Sequence, residues 1–257
     1  MDMHVAITGA SAGIGEALAR AWMGQDVRLS LVARRRAPME LLKAEAEARG
    51  GEARVYEADM GIPEQSTAWV KDAEEALGPI DVLVLNAGIQ HVGPALSFSD
   101  EEAETQLRVN VIAPVRLSRR VAPAMVARGR GTIVIVSSVA GLTHTPMMAD
   151  YSATKAYVSA YFETLRVELE GTGVHVLAVY PGPVSTAMEQ AARSRLAGGM
   201  LERHLPTGTP EVLAKKVREA VSKGLPRLIY PGVYGVSRLA RTTSQWFTWK
   251  FGPRPRD

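Results

Sequence analysis

The sequence predicts an α/β fold: a single domain over residues 1–257, built on a doubly wound parallel sheet of about seven strands flanked by helices. Three observations carry this expectation. Short β-branched apolar runs alternate with helix-length amphipathic stretches along most of the chain. The first such run, His4 to Thr8, leads directly into the glycine-rich turn Gly9-Ala10-Ser11-Ala12-Gly13-Ile14-Gly15 and then a helix-forming stretch. The polar and glycine-bearing breaks follow the carboxyl ends of the strands, which is the edge where sheets of this kind hold ligands.

Composition narrows the function classes. At 257 residues one domain buries roughly three quarters of its extended-chain surface, so no second core is required. Apolar residues make up 46% and charged residues 22%, which suits a globular rather than a disordered chain. The absence of cysteine excludes disulfides, thiolate nucleophiles and Cys-ligated metals. His4, His91, His144, His175 and His204 show no ligand spacing, so no metal is expected. A net charge of +3, with basic and acidic residues interspersed, argues against nucleic acid as a partner. Met1-Asp2-Met3 runs straight into the first strand without a signal-peptide pattern, and no apolar run approaches the ~18 residues of a membrane span. A cytoplasmic location is the expectation.

Taken in order, the first strand, the glycine turn and the helix Glu16 to Met23, closed by Gly24, form a phosphate site. A helix N-terminus offers unpaired amides and a positive dipole end, and glycine lets a pyrophosphate approach the backbone. The second strand, Val27 to Ala33, ends in Arg34-Arg35-Arg36. An acidic residue at this point would bind the ribose 2′-hydroxyl of NAD. Ala33 stands there instead, so a 2′-phosphate can pair with Arg34 or Arg35, and NADP(H) is expected in preference to NAD(H). The plainer alternative is that these arginines only begin the helix Pro38 to Arg49.

A third strand, Ala53 to Glu57, precedes Asp59, which either caps the following helix or touches the adenine ring. The helix Glu64 to Leu77 stops at Gly78-Pro79, and the strand Ile80 to Leu85 ends at Asn86-Ala87-Gly88. A long helical region from Asp100 to Arg128 follows, interrupted by Pro114 and Pro123, with Asn110 inside it inviting a kink or a polar role. The buried strand Thr132 to Val136 ends at Ser137-Ser138, where Ser138 can hydrogen-bond a substrate oxygen. The loop Val139 to Asp150 carries Met147 and Met148, suited to an apolar pocket or to core packing. Tyr151 and Lys155 then open a helix running to Glu170, four residues apart and so on one face. A lysine at that distance favours the phenolate and lowers the pKa of the hydroxyl, which makes Tyr151 a candidate general acid.

The strand Val174 to Tyr180 ends at Pro181-Gly182-Pro183, and residues 183–206, with Gly198-Gly199, suit a mobile substrate lid better than a sheet element. The run Arg227 to Gly232 supplies a last strand. Residues 233–257 form an aromatic and basic extension with Trp246, Phe247, Trp249 and Phe251 among Arg238, Arg241, Lys250, Arg254 and Arg256. That pattern suits a weak membrane-surface contact or a cover over an apolar substrate entrance. Packing on the chain's own fold or on a partner subunit is the plainer alternative.

As a set, these motifs resemble the classical short-chain dehydrogenase/reductase family, with its Rossmann-type sheet, over residues 3 to about 225. Thr8 to Gly15 matches the cofactor loop, Asn86-Ala87-Gly88 the central-strand motif, and Pro181-Gly182 with Thr186 the segment at the nicotinamide end. Asn110, Ser138, Tyr151 and Lys155 fall on the four catalytic positions. The resemblance implies cofactor contacts from Gly9, Ser11, Ala12, Gly13, Ile14, Gly15, Arg34, Asp59, Asn86, Gly88, Tyr151, Lys155, Pro181, Gly182 and Thr186. It implies hydride transfer between NADP(H) and a carbonyl or secondary alcohol of an apolar small molecule, with Tyr151 as general acid/base, Ser138 on the substrate oxygen, and Lys155 on the tyrosine and the ribose. Asn110 is implied to keep a water in the proton path, and homo-dimers or homo-tetramers are the implied assembly.

The chain departs from the family at Ala12, where many NADP-using members carry a basic residue, and in lacking the usual C-terminal strand with its Asp-Gly-Gly ending. The rival from another class is a non-catalytic NADP-binding redox sensor or regulatory protein, which would not need all four catalytic residues. A sugar-nucleotide epimerase or dehydratase fits less well, since its glycine spacing differs and the chain is short for a sugar-nucleotide domain.

Overall fold

A computed structural model of the chain describes residues 3–197, 206–235, 241–251 and 254–255. Strands β1 (Met3–Thr8), β2 (Val27–Ala33), β3 (Glu52–Glu57), β4 (Val82–Leu85), β5 (Gly131–Val136) and β6 (Val174–Pro181) alternate with helices α1 (Gly13–Trp22), α2 (Arg36–Ala48), α3 (Pro63–Leu77), α4 (Asp100–Leu107), α5 (Ala113–Ala127) and α6 (Ala149–Glu168). Then come α7 (Ala187–Arg195), β7 (Leu196–Ala197), α8 (Pro210–Ser222), β8 (Arg227–Tyr230), α9 (Arg241–Phe251) and β9 (Arg254–Pro255). Seven strands form one parallel sheet in the order β3-β2-β1-β4-β5-β6-β8. The winding reverses between β1 and β4, and the crevice for a ligand opens where the loops diverge.

Period-2 alternation divides the core. Ile7, Leu29, Leu31, Val84 and Val179 face Leu18, Trp22, Leu42, Leu213 and Val217 on one side. Leu83, Leu85, Ile133 and Ile135 face Trp69, Val70, Leu117, Val121 and Phe162 on the other. Both faces of the central strands are therefore buried, which is why their sequences read as unbroken apolar runs. His4 is buried too, with Nδ1 2.6 Å from the Gly78 carbonyl and Nε2 2.8 Å from Ser30 Oγ, a polar tie within the core.

Several boundaries differ from expectation. The break in the long helical region falls at a π turn, Arg108–Ile112, that contains Asn110, whereas α5 runs straight through Pro123. Pro114 directly follows the π turn, where the regular α-helical bonding is already interrupted, and Pro123 sits at an exposed position of α5. The segment expected to be a lid contains the helix α7, capped by Thr186, and the two-residue strand β7, which pairs antiparallel with β9. Its remainder, residues 198–205 with Gly198-Gly199 and His204, lies outside the described residues, as do Arg238, Arg256 and Asp257 of the tail. The run Arg227–Tyr230 does form the last strand, parallel to β6. The described part of the tail packs on the chain's own fold through α9. Among the described residues no helix is long and apolar enough to cross a membrane.

The edge strand β8 is held by a side-chain network. Glu163 of α6 accepts hydrogen bonds from Arg227 Nε and Nη2, each at 2.7 Å, and from the Tyr180 hydroxyl at 2.6 Å. Tyr180 is fully buried, so loss of the carboxylate strands its hydroxyl. Glu163→Ala is expected to lower unfolding stability by about 1–3 kcal/mol, read as a lower urea midpoint at unchanged m value.

Candidate active site

The ends of β1 and β4 are stitched together by side chains. Thr8 Oγ1 donates to the Val84 carbonyl at 3.2 Å and accepts from the Asn86 and Ala87 amides at 3.0 and 3.1 Å. Asn86 Nδ2 donates to the carbonyls of Thr8 and Gly9 at 3.0 and 3.3 Å. The glycine turn folds tightly over this seam. Gly9 and Gly13 have φ of +68° and +58°, values that side chains rarely adopt. A β-carbon on Gly15 would collide with the Gly9 carbonyl and lie 2.6 Å from Asn86 Nδ2. Gly15 is thus a packing residue beneath the turn, while Gly9, Ser11, Ala12, Gly13 and Ile14 line the cavity above it.

These residues fit a dinucleotide. Helix α1 begins behind Ala12 with no side-chain cap, so its first amides remain available to a phosphate. At the adenosine end the cavity is lined by Ala33, Arg34, Arg35 and Asp59. Arg34 and Arg35 precede α2, which starts at Arg36, and so they belong to the connection rather than to the helix body. Arg35 Nη2 donates to the Ser11 carbonyl and hydroxyl at 3.2 and 3.3 Å, and Arg34 Nη1 is 3.9 Å from Asp59 Oδ2. Asp59 does not cap α3. Its Oδ1 accepts from the Gly61 amide at 2.8 Å, closing a turn before the helix, whose N-cap is Ile62. Of the two roles open to it, the position in the cavity is the one that survives.

At the other end the cavity reaches Ser138, Tyr151 and Lys155 with Pro181, Gly182 and Thr186, and the whole space is about 790 Å³. The 3-10 turn after Ser138 lies so close to α6 that a β-carbon on Gly141 would come within 2.7 Å of the Lys155 carbonyl carbon. Ser138 Oγ accepts from the Ala140 amide at 3.1 Å and donates to the Pro181 carbonyl at 3.4 Å, tying the ends of β5 and β6. Ser137, passed over in the sequence, is just as placed: its hydroxyl donates to the Lys155 carbonyl at 3.0 Å and lies 2.8 Å from Ser159 Oγ.

Asn110 is buried behind this site. Its Oδ1 accepts from the Ile89 amide at 2.9 Å, and its Nδ2 donates to the Ile89 carbonyl at 2.9 Å and to Thr154 Oγ1 at 3.1 Å. The amide therefore joins the loop after β4 to α6 and does not line the cavity. Gly88 fits between its Oδ1 and the Lys155 ammonium, which would sit 3.4 and 3.6 Å from a β-carbon there.

The electrostatics overturn one expectation. Burial pushes the Tyr151 hydroxyl up to about 12, with its hydrogen bond to Ser138 pulling the other way. Burial also pushes the Lys155 ammonium down to about 8. Lys155 Nζ donates to the Val136 carbonyl at 3.0 Å and lies 5.7 Å from the centre of the Tyr151 ring. Burial is the dominant influence on both groups, so the shift of the phenol runs opposite to the one expected from the lysine, and the phenol is protonated at neutral pH. Among the described residues, no three His, Asp or Glu side chains are grouped to hold a metal.

The C-terminal extension, for which a cover over an apolar entrance is one of the expected roles, closes the cavity from the C-terminal side. Val233, Tyr234, Thr243, Ser244, Phe247 and Thr248 all line it. The Tyr234 ring covers Gly182, where a β-carbon would meet it at 2.7 Å. Of the tail's aromatic residues named from the sequence, Phe247 lines the cavity, while Val233, Tyr234, Thr243, Ser244 and Thr248 carry no signal of their own.

Comparison with known proteins agrees with this geometry. The sequence profile described as short chain dehydrogenase matches residues 3–197. A short chain dehydrogenase of Pseudocercospora fijiensis is 35% identical over 77% of this chain, a match that spans 65% of that relative's length. Ketoacyl reductase HetN of Nostoc is 32% identical over 84% of this chain and 77% of its own. Among solved structures, a short-chain dehydrogenase from Sphingobium yanoikuyae in complex with NADPH superposes with a TM-score of 0.82 at 27% identity, covering 95% of this chain and 94% of that one. An alcohol dehydrogenase from Thermococcus sibiricus, complexed with 5-hydroxy-NADP, gives 0.79 at 26% identity over 90% and 97%. With the profile matched over residues 3–197 and the fold shared with these structures, the chain belongs to the classical short-chain dehydrogenase/reductase family of oxidoreductases.

Proposed function

We propose that the chain is an NADP(H)-dependent carbonyl reductase and alcohol dehydrogenase for an apolar small molecule, with Tyr151 as general acid/base. The observation that carries this reading is that one cavity joins an uncapped helix N-terminus flanked by Arg34 and Arg35 to the side chains of Ser138, Tyr151 and Lys155. The similar structures solved with NADPH and 5-hydroxy-NADP support the choice of cofactor.

Bound NADPH supplies the hydride that adds to the carbonyl carbon. The glycine turn and the first amides of α1 hold the pyrophosphate, and Arg34 and Arg35 take the 2′-phosphate. Asp59 bounds the adenine end; Asn86, Gly88, Pro181, Gly182 and Thr186 bound the nicotinamide end. Ser138 Oγ donates to the substrate oxygen as negative charge develops there, and Tyr151 Oη delivers its proton to that oxygen. A phenol that stays protonated at neutral pH is in the form reduction needs. Lys155 spends one N–H on the Val136 carbonyl, which leaves two for the ribose hydroxyls and the path that returns a proton to Tyr151. Asn110 holds the loop and helix that frame this path. Oxidation of the alcohol uses the same atoms in reverse. A sensor that only bound NADP would have no use for a buried, carboxylate-free lysine beside the phenol. On the family resemblance we assign the working form to a homo-dimer or homo-tetramer in the cytoplasm.

Tyr151→Phe is expected to lower kcat for ketone reduction by about 10²–10⁴-fold while NADPH still binds, as followed by nucleotide fluorescence; undiminished turnover would remove Tyr151 from the chemistry. Replacing both Arg34 and Arg35 with alanine should weaken NADPH binding by about 10–100-fold and leave NADH binding nearly untouched, whereas equal losses for both would end the NADP assignment.

Lys155 also predicts a pH effect on stability. Its folded-state pKa is near 8 and its ordinary value 10.5, so between those limits the unfolded chain holds a proton that the folded chain has released. The unfolded state binds more protons there, and stability rises with pH. Tyr151 acts with the opposite sign only above pH 10, where the unfolded chain ionises first. Urea unfolding of the wild type should therefore gain stability from pH 8 to 10 relative to Lys155→Met; parallel curves would show that the lysine titrates normally.

A further inference from the structure

Helix α9 lies beyond the profile match, which ends at residue 197. It is nonetheless tied to the catalytic loop. The side-chain amide of Gln245 accepts from the His144 amide at 2.6 Å and donates to the His144 carbonyl at 2.7 Å. This is a two-bond pairing like that of one strand residue with another, made between a side chain and the loop that joins Ser138 to Tyr151. The pairing fixes which face of α9 meets the cavity. Ser244, Phe247 and Thr248 lie within one turn of Gln245 and line the space, together with Val233 and Tyr234 from the turn after β8. Tyr234 lies on Gly182 and its hydroxyl donates to the Pro206 carbonyl at 3.4 Å, so the same segment also reaches the far side of the lid region. On the loop side, Met148 and Thr145 complete the wall.

We propose that the polypeptide after β8 forms the substrate-facing wall of the cavity, with Phe247 and Tyr234 limiting the size of the ketone and Gln245 as the positioning residue that holds the wall against the catalytic loop. This rests on the carbonyl-reducing reading of the site and deepens it. The phosphate and adenosine end of the cavity is built from the connections after β1, β2 and β3. The substrate's end is walled by one aromatic side chain from α9, one from the turn after β8, and a methionine of the loop. A wall of that kind accepts a bulky, mostly apolar ketone. Because a flat ring gives a firm limit and methionine a soft one, the loss of the Phe247 ring lengthens the space, whereas the loss of Gln245 loosens it.

The test compares the full-length wild type, Phe247→Ala and Gln245→Ala in NADPH-dependent reduction of aryl alkyl ketones of increasing alkyl length. Phe247→Ala is expected to move the preferred ketone to longer chains and to raise KM for the wild-type optimum about tenfold, with NADPH affinity unchanged within about twofold. Gln245→Ala should raise KM across the series and speed hydrogen exchange at the His144 amide, and Gln245→Glu, which keeps the acceptor but not the donor, should fall between it and the wild type. An unchanged ketone ranking in Phe247→Ala overturns the proposal. So does a parallel loss of NADPH affinity in both alanine variants, since α9 would then support the site as a whole. If the wild type reduces no ketone, the carbonyl-reducing reading fails separately. The wall is then judged by exchange of the α9 amides when octanophenone is added to the NADPH-bound chain: protection supports it and its absence overturns it.

Discussion

The cavity depends on the seam between β1 and β4. A parallel sheet has no hairpins to fix the ends of its strands, and here the neighbours β1 and β4 are separated by more than seventy residues of chain. Thr8 and Asn86 make the join instead, and the main chain of the glycine turn lies directly on it. The space left for residue 15 is smaller than a methyl group, so the helix that follows is pinned by backbone contact rather than by side-chain packing. Everything at the phosphate end follows from this closeness: the uncapped amides of α1 face the cavity because the turn has nowhere else to go. Thr186 at the start of α7 meets the same turn, where a β-carbon on Gly13 would be 3.2 Å from its methyl group.

At the catalytic end the controlling cost is desolvation. Ser137, Ser138, Asn110, Thr154, Lys155 and Ser159 are all buried, and each finds a hydrogen-bond partner within the fold. Asn110 reaches its partners because the π turn adds a residue to the helical path and rotates that position inward. Lys155 is the expensive member, an ammonium whose hydrogen bond is to a neutral carbonyl. Such a group is held in readiness for a polyhydroxylated or anionic ligand that would complete its shell. The same dryness moves the tyrosine and lysine in opposite senses, and it leaves both in the forms that a proton-donating site requires at neutral pH.

The elements and the cofactor turn could be read from the sequence because their causes are local. Apolar runs identify strands buried on both faces, and a glycine cluster between strand and helix marks a turn whose backbone a phosphate can approach. Tyr151, Lys155 and Ser138 stand out from helix spacing and a strand end, and the resemblance groups them with Asn110; the fold brings the four to one end of the sheet, three on the cavity and Asn110 behind it. What stayed hidden depends on three-dimensional surroundings. Asn110 marks the place of the break, but its form, a π turn, depends on one extra residue in the helical path, which a lone asparagine does not reveal. The Tyr151–Lys155 spacing predicted attraction, but the burial that outweighs it is a property of the packed loop. Asp59 could not be assigned from its position before a helix, since the turn it closes ends one residue short of the cap.

The two ends of the cavity are therefore built on different physical principles. Backbone amides, glycine contacts and strand ends make the cofactor's half, and almost any substitution there meets main chain. Side chains from segments late in the sequence contribute to the other half: Gln245 pairs with the His144 backbone of the catalytic loop, and Tyr234 covers Gly182 after β6. A wall of side chains is more open to exchange than the seam, where a β-carbon at residue 15 would meet main chain. The half set by main chain suits a ligand of fixed shape, whereas the half set by side chains from the end of the sequence takes its shape from the particular residues placed there.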